Sequence, residues 1–369
     1  MTRLPADPDT LFAALLARDP SYEGLALVGV RTTGIYCRLT CPARKPLARN
    51  CAWFSDAAAA QAAGFRPCRR CHPPSGPDPE VATPPVVAAL LAQLRADPAR
   101  RWTQADLIAQ GLDTSTVRRA FQRHLGQSFL SLARAQRLRE GMQRLQDQSG
   151  RMIDAQLDAG YDSASGFRRA FRRLFGHAPH QMTGRADLRA TWIETPLGGM
   201  IAIADDAALC LLEFTDRKAL PQGLRRLSER VGGRIGLGRT EITDATETAL
   251  ADWFGGRSAG LDLPLRLIGT PFQIRVWQAL RAIPPGTTIS YAQLALAIGQ
   301  PRATRAVAAA NGANRLALVV PCHRVIGADG GLGGYAGGLW RKEKLIQIER
   351  AAARQAETTG NRARPTLGT

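Results

Sequence analysis

The sequence predicts a multidomain α+β protein, and three observations along its 369 residues lead to that prediction. Two close cysteine pairs near the start mark a small α/β domain. A helical pattern is then duplicated at an offset of fifty residues, which indicates an all-α domain. After it, alternating apolar residues predict strands, and a cysteine next to a histidine precedes a glycine-rich loop, so a mixed α/β region follows.

The paired cysteines have the spacing of a metal site. The first pair is Cys-x3-Cys, and after 26 residues the second pair is Cys-x2-Cys. Four thiolates in this arrangement can close tetrahedrally on zinc. A redox pair is the alternative, but its usual form is a single Cys-x-x-Cys beside a strand–helix unit. We therefore predict that Zn²⁺ is bound by Cys37, Cys41, Cys68 and Cys71. Cys51 and Cys210 have no partner pattern, and Cys210 is expected to fill the core.

The duplicated segment has the pattern of a helix-turn-helix pair. Residues 105–126 recur at 155–176, and helical spacing of apolar residues over 129–145 predicts a connecting helix. In each copy, apolar residues occupy one helix face and arginines the other, so the second helix could enter a major groove. The alternative for these arginines is a solvated helical face. The predicted DNA-facing residues are Arg118, Arg119, Arg168 and Arg169.

The following region combines a hairpin with a third helix-turn-helix. Alternation over 191–204 around a Pro-Leu-Gly-Gly turn predicts two strands, and residues 208–265 should complete a small mixed lobe. A helix is expected over 290–295, a turn at 299–301 and a second helix over 302–310. A further helical pattern runs from 340 to 351.

The pentapeptide Pro321-Cys322-His323-Arg324-Val325 is the most informative feature of the chain. A cysteine reacts as its thiolate, and a neighbouring histidine can withdraw the thiol proton if a third group orients that histidine. The alternative is a small buried cysteine at a strand end. The pentapeptide predicts a nucleophile site.

The pentapeptide and its surroundings resemble the O6-alkylguanine-DNA alkyltransferase family over residues 190–352. The resemblance implies that Cys322 accepts the alkyl group, that His323 is a general base acting through a water and that Glu349 orients the histidine. Asn314 would be a hinge that ties the segment together. The remaining positions that match the family's DNA-contacting residues are Tyr291, which would rotate a phosphate, Arg305, which would fill the gap left by a flipped base, and Tyr335.

The amino-terminal segment, residues 3–78, resembles the corresponding domain of the Ada family. The resemblance implies that Cys37 accepts a methyl group from a methyl phosphotriester, and that Thr33, Arg44 and Arg66 contact phosphate. Pro42 stands where that family has a further arginine. Four thiolates on Zn²⁺ carry a formal charge of −2, and methylation of one would reduce it to −1, so affinity for DNA should rise.

The duplicated helices resemble the DNA-binding domain of AraC-type transcription factors, and the whole chain resembles the Ada family. The implied function is irreversible transfer of methyl groups from DNA to Cys322 and Cys37, with activation of alkylation-response genes by the methylated protein. Because a thioether cannot ionise, each acceptor would react once. The alternatives are a zinc-thiolate redox regulator with an inactive alkyltransferase domain, and a cysteine hydrolase that would turn over many times.

Charge independently indicates a nucleic-acid partner. The formal net charge is +18, which attracts polyphosphate. We expect alkylated double-stranded DNA, promoter DNA and RNA polymerase as partners, a monomeric state, and no membrane. The expected location is the cytoplasm, in association with the nucleoid.

The resulting fold prediction has five parts. A small zinc-binding α/β domain that repairs phosphotriesters spans 1–78, and an all-α, AraC-type double helix-turn-helix domain spans 79–185 after a proline-rich linker. An α/β lobe at 186–266 precedes the winged-helix-like active-site lobe of the alkyltransferase at 267–355. Residues 356–369 are expected to be a disordered tail.

Overall fold

The computed structural model describes residues 6–19, 22, 25–68, 70, 71, 73, 84–146 and 151–362. Most of the predicted linker and the last seven residues of the predicted tail lie outside these residues. The chain divides into two compact units, of which the first comprises Met1–Pro85 with Gly327–Gly331 and the second comprises Val86–Ile326 with Leu332–Thr369. The five predicted domain boundaries stay predictions.

The first unit contains a four-stranded sheet in the order β3-β1-β2-β4. Strand β1 is antiparallel to β2 and β3, whereas β2 and β4 are parallel. An aspartate begins each helix, since Asp7 and Asp56 accept hydrogen bonds from first-turn amides. The elements are α1 (Pro8–Ala17), β1 (Leu27–Val30), β2 (Ile35–Arg38), β3 (Cys51–Phe54), α2 (Ala57–Ala62) and β4 (Arg66–Pro67).

The all-α part of the second unit contains the predicted duplication. The elements are α3 (Pro85–Ala96), α4 (Gln104–Ala109), α5 (Thr114–Leu125), α6 (Phe129–Gln146), α7 (Met152–Asp158) and α8 (Ala164–Phe175). Helices α5 and α8 are separated by the predicted fifty residues, and α6 is the predicted connecting helix. Gly126 and Gly176 end α5 and α8 with φ of 65° and 72°, a left-handed conformation that glycine adopts without steric cost.

A mixed sheet follows in the order β7-β6-β5-β8. The predicted hairpin is β5–β6, which are antiparallel, and β8 pairs parallel with β5. Cys210 lies on β7 and is buried in the core, as predicted. The elements are β5 (Leu188–Ile193), β6 (Met200–Ala204), β7 (Leu209–Phe214), α9 (Leu220–Val231), β8 (Ile235–Leu237) and α10 (Glu241–Phe254).

The last region is helical, with a two-residue parallel pair formed by β9 and β10. Its elements are α11 (Pro271–Arg281), β9 (Ile289–Ser290), α12 (Tyr291–Ala297), α13 (Thr304–Gly312), β10 (Val325–Ile326) and α14 (Leu339–Arg362). The second helix of the predicted helix-turn-helix begins two residues later than expected, because the turn extends to Ala303, whose amide donates to the Gln300 carbonyl at 2.9 Å.

Helix α14 differs from its prediction at the carboxyl end. The predicted tail at 356–369 is helical as far as Arg362. Its polarity suggested disorder, but Ala356 and Glu357 are strong helix formers, and they extend a helix that is already nucleated. The fold class itself, a multidomain α+β protein with a small sheet-containing first unit, an all-α part and a mixed-sheet part, is confirmed.

In the described part of the chain, no helix is both long and apolar enough to cross a lipid bilayer.

Candidate active site and metal centre

Cys322 begins a 3-10 helix, Cys322–Arg324, at the end of an apolar segment. That segment is fixed to β7, because Leu212 and Leu316 form a parallel bridge. The Cys322 side chain lies in the wall of a cavity of about 450 Å³, and the residue is only 7% exposed. The thiol is therefore shielded from bulk water and faces a cavity that can hold a small molecule or a base.

Asn314 contacts the nucleophile directly. Its Nδ2 donates to Cys322 Sγ at 3.1 Å and to the Val320 carbonyl at 2.8 Å, while Oδ1 accepts from the Leu316 amide at 2.9 Å. Burial raises the pKa of the Cys322 thiol, and the Asn314 hydrogen bond opposes that effect. Cys322 therefore rests as a thiol, next to a donor that can stabilise the thiolate.

His323 and Glu349 form a buried pair. His323 Nε2 and Glu349 Oε1 are 3.0 Å apart, and Arg324 donates from NH2 to the same oxygen at 2.7 Å. The Gly286 amide donates to Glu349 Oε2 at 3.1 Å. Burial opposes ionisation of Glu349, yet the hydrogen bonds from His323 and Arg324 outweigh burial and lower the pKa of the carboxyl to about 2.

The ionised Glu349 fixes the tautomer of His323. A carboxylate can only accept, so the proton of the imidazole must be on Nε2, and Nδ1 carries the free lone pair. Burial lowers the pKa of His323 more than Glu349 raises it, so the ring is neutral. Among the described residues, Nδ1 has no hydrogen-bond partner. His323 thus has the protonation state of a general base.

The lowered pKa of Glu349 predicts a loss of stability in acid. The folded pKa of about 2 lies below the ordinary value of 4.5, so the stabilisation is full above pH 4.5 and is lost as pH falls towards 2. The difference corresponds to about 3 kcal/mol, of which about 2 kcal/mol is lost by pH 3. Denaturant unfolding at pH 6 and pH 3 should show this loss in the wild type and not in Glu349→Gln. Equal losses would contradict the prediction.

Three cations at this site were missed by sequence reasoning. Arg324 was quoted in the pentapeptide without a role, yet it donates to Glu349 and to the Ile283 carbonyl. Arg217 donates to the Asn314 carbonyl at 2.8 Å, and Lys342 donates to the Val325 carbonyl at 2.6 Å. Burial lowers the pKa of Lys342 to about 8. No local pattern indicates these carbonyl contacts, because the Asn314 carbonyl is 97 residues from Arg217 and the Val325 carbonyl is 17 residues from Lys342.

Two predicted DNA-contacting tyrosines line the same cavity as Cys322, and one predicted arginine does not. Tyr291 is the first residue of α12, and Tyr335 belongs to the glycine-rich loop. The Tyr335 hydroxyl is buried and has no hydrogen-bond partner within the described residues. Arg305 is exposed in the first turn of α13, three residues before Ala308, which lines the cavity. Arg305 is therefore positioned on the outer surface beside the cavity entrance.

The four predicted metal ligands come together in the first unit. The sulfurs of Cys37, Cys41, Cys68 and Cys71 all lie within 4.8 Å of one another. A regular tetrahedron with Zn–S bonds of about 2.3 Å has S–S edges of about 3.8 Å, so the cluster has suitable dimensions.

The chemistry of this donor set also fits zinc. Hydrogen bonds with the Cys41 and Cys71 thiols, together with burial, raise the pKa of Cys37, whereas the neighbouring thiols lower the pKa of Cys41 to about 2. Four clustered thiols therefore do not all ionise on their own. A soft divalent cation is what allows four thiolates to coexist.

The predicted phosphate-contacting residues of this unit are all exposed. Thr33 lies in the turn between β1 and β2, and Arg66 pairs with Ile35 at the end of the sheet next to that turn. Arg44 is exposed in the loop after Cys41. Thr33 and Arg66 thus share one edge of the sheet, whereas Arg44 is placed by a separate loop. Their roles stay predictions.

The arginines of the duplicated helices lie on the outer face, as predicted. Val117 and Phe121 of α5 are buried, and the corresponding Phe167 and Phe171 of α8 are buried too. The exposed residues between them are Arg118, Arg119, Arg168 and Arg169. Exposed arginines on paired helices, a four-cysteine metal cluster and a buried cysteine beside a His–Glu pair together define a class: multidomain proteins that combine helix-turn-helix elements with two cysteine centres.

Comparison with known families agrees with this class. The metal binding domain of Ada matches residues 10–74, and a helix-turn-helix domain matches residues 108–185. The DNA binding domain of 6-O-methylguanine DNA methyltransferase matches residues 271–351. The chain therefore contains DNA-binding domains, and its four clustered cysteines are a zinc site, as predicted.

The relatives cover either nearly the whole chain or less than half of it. The bifunctional transcriptional activator/DNA repair enzyme Ada of Escherichia coli (strain K12) is 34% identical in an alignment of 359 residues, and the match covers 92% of this chain and 96% of that protein. The methylated-DNA–protein-cysteine methyltransferase of Salmonella typhimurium is 45% identical over 159 residues, or 42% of this chain and 92% of the relative. The Mycobacterium tuberculosis OGT crystal structure in complex with DNA is 36% identical, with a TM-score of 0.39, and the match covers 45% of this chain and 93% of that one.

The chain belongs to the Ada family, and the prediction of that family is confirmed. The alternative of a redox regulator with an inactive alkyltransferase domain is not favoured, because the chain retains the complete buried set of Cys322, His323, Asn314 and Glu349.

Proposed function

We propose that this protein transfers methyl groups from alkylated DNA irreversibly to its own cysteines and, once methylated, activates transcription of alkylation-response genes. Cys322 accepts the methyl group of O6-methylguanine and of O4-methylthymine. Cys37 accepts the methyl group of a methyl phosphotriester. The observation that carries the proposal is the Cys322 thiol, which faces a base-sized cavity and contacts Asn314 next to a neutral, oriented His323.

The proposed reaction at Cys322 begins with removal of the thiol proton. The Nδ1 lone pair of His323 takes that proton through a water, because Nε2 is already committed to Glu349. The sulfur then forms a bond to the methyl carbon as the carbon–O6 bond breaks, and the electron pair of the broken bond stays with guanine. The guanine ring takes up one proton as it leaves, which balances the thiol proton that His323 received. Asn314 Nδ2 stabilises the thiolate before attack.

The product explains why each site reacts once. A thioether carries no ionisable proton and is a poor leaving group, so no residue of the cavity can regenerate the thiol. Tyr291 and Tyr335 line the cavity, and we assign them contacts with the extruded nucleotide. Arg305, exposed on α13, would occupy the space that the nucleotide leaves in the duplex.

The reaction at Cys37 would couple repair to regulation. Zinc, when bound, holds the four sulfurs as thiolates, and Cys37 is the one proposed to attack. Thr33, Arg44 and Arg66 would contact the phosphates on either side. Loss of one negative charge after methylation weakens repulsion of DNA, with an effect of at most a few kcal/mol.

The remaining parts of the proposal concern partners and location. The exposed arginines of α5 and α8 would read promoter DNA through the major groove. We further propose that the methylated protein contacts RNA polymerase, that it acts as a monomer, and that it works in the cytoplasm on nucleoid DNA.

Intact mass spectrometry tests the proposed reactions. Excess duplex with both O6-methylguanine and a methyl phosphotriester should add two methyl groups per molecule, and further duplex should add none. The number of repaired lesions should equal the number of methyl groups gained. Recovery of unmodified protein after several equivalents of lesion have disappeared would contradict the proposal and would indicate a hydrolase.

A further inference from the structure

A second cavity lies next to the reactive one. It has a volume of about 210 Å³ and is formed between α9 and the carboxyl end of α13. Glu213, Arg217 and Gly312 line both cavities. The two cavities therefore adjoin each other and share part of their walls.

Arginines without counter-ions surround the second cavity. Arg226 and Arg315 line it, and Arg230 follows Arg226 by one turn on α9. The NH1 group of Arg315 is buried and has no hydrogen-bond partner among the described residues. Among the described residues, no carboxylate forms an ion pair with Arg226, Arg230 or Arg315. Glu229 lies on α9 together with the first two of these arginines.

The local charge is strongly positive as a result. Burial, followed by the like charges of Arg230, Arg226 and Arg217, lowers the pKa of Arg315. The nearest cavity-lining carboxylate, Glu213, is already paired with Arg217. A buried donor without a partner costs free energy, and so does clustering of like charges. An anion in the cavity would relieve both costs.

Backbone hydrogen bonds to β7 hold the segment that carries Arg315. The Leu212 amide donates to the Arg315 carbonyl at 2.8 Å, and the Ala317 amide donates to the Leu212 carbonyl at 2.8 Å. The guanidinium therefore projects from a segment that is tied to β7 on one side and continues into Asn314 on the other. A side chain on a fixed backbone segment, with one guanidinium nitrogen already buried, loses less conformational freedom on binding a ligand than a fully exposed arginine does.

We propose that Arg315, with Arg226 and Arg230, binds a backbone phosphate of the DNA strand whose base enters the Cys322 cavity. The proposal rests on the proposed alkyl transfer at Cys322. A guanidinium fork matches the geometry of a phosphate. Gly312, which lines both cavities, is seven residues from Arg305 on α13, a separation of about 10 Å along the helix. A phosphate next to the extruded nucleotide would therefore lie within reach of this cavity.

The test compares two substrates for the full-length protein, one with phosphates and one without. The rate of Cys322 methylation is measured with an O6-methylguanine duplex at several salt concentrations and with the free base O6-methylguanine. Arg315→Gln should react about tenfold more slowly with the duplex, and its slope of log rate against log salt should be smaller by about 0.9. Its rate with the free base should be unchanged.

Two matched control variants and one double variant are measured beside Arg315→Gln. Arg315→Lys keeps the charge and should retain most of the salt slope, whereas Arg257→Gln, which removes an exposed arginine that lines neither cavity, should behave as the wild type. The double variant Arg226→Gln/Arg230→Gln should reduce the slope further.

The possible failures are distinguishable. No methylation of the wild type by either substrate would overturn the proposed function itself. An unchanged duplex rate and slope in Arg315→Gln, or an equal loss with the free base, would overturn the phosphate site alone. Inorganic phosphate at constant ionic strength is a third arm. If it raises the melting temperature of the wild type and not of Arg315→Gln while the duplex rates stay equal, the site takes a free anion and not DNA.

Discussion

Replacing Cys322 by alanine should abolish methyl transfer from O6-methylguanine and leave transfer from a methyl phosphotriester intact. Because the sulfur is the atom that forms the new bond, its removal leaves no substitute nucleophile in the cavity, and the rate should fall by at least about three orders of magnitude. Mass spectrometry of the variant after incubation with the doubly damaged duplex should show one added methyl group where the wild type shows two.

Cys210→Ala is the matched control for this variant. Cys210 is also a buried free cysteine in the second unit, but it lies in the core at β7 and lines none of the cavities described here. Its replacement should leave both methyl additions unchanged. A second methyl group on Cys322→Ala would show that another residue is the acceptor and would exclude the role proposed for Cys322.

Loss of one zinc ligand has the second-largest expected effect. In Cys68→Ala the cluster retains three sulfurs, so tetrahedral closure by protein thiolates is impossible and zinc affinity falls. The four cysteines belong to the small core of the first unit, and structural four-ligand zinc sites contribute about 10 kcal/mol or more to folding. The first unit should lose protease resistance, and phosphotriester repair should disappear, while O6-methylguanine repair persists.

Cys51→Ala is the control inside the same core. Cys51 and Cys68 are both 8% exposed, and Cys51 lies outside the metal cluster. Zinc content, measured by atomic emission on the purified protein, should stay at one per chain in Cys51→Ala and fall well below one in Cys68→Ala. Equal zinc content in the two variants would refute the assigned ligand set.

Local spacing is the reason that much of this protein could be predicted. Two cysteine pairs, a fifty-residue repeat and a pentapeptide are each short patterns whose chemistry depends on neighbours in sequence. They predicted the metal ligands and the helices α5 and α8, which are confirmed, and the nucleophile role of Cys322, which stays a prediction. The end of α14 was predicted wrongly, because polar residues that are good helix formers can either continue a helix or remain unfolded.

By itself, the sequence determined the family and the zinc ligands and indicated the proposed acceptor thiol, since those depend on residue types at fixed separations. Only the tertiary structure decided that His323 and Arg324 hold Glu349 ionised, that Arg217 reaches the Asn314 carbonyl and that the buried NH1 group of Arg315 has no hydrogen-bond partner among the described residues. These outcomes depend on which distant segments pack together and on how much water they exclude. The position of a charged residue in the sequence does not tell which distant segments will pack against it or how much water they will exclude.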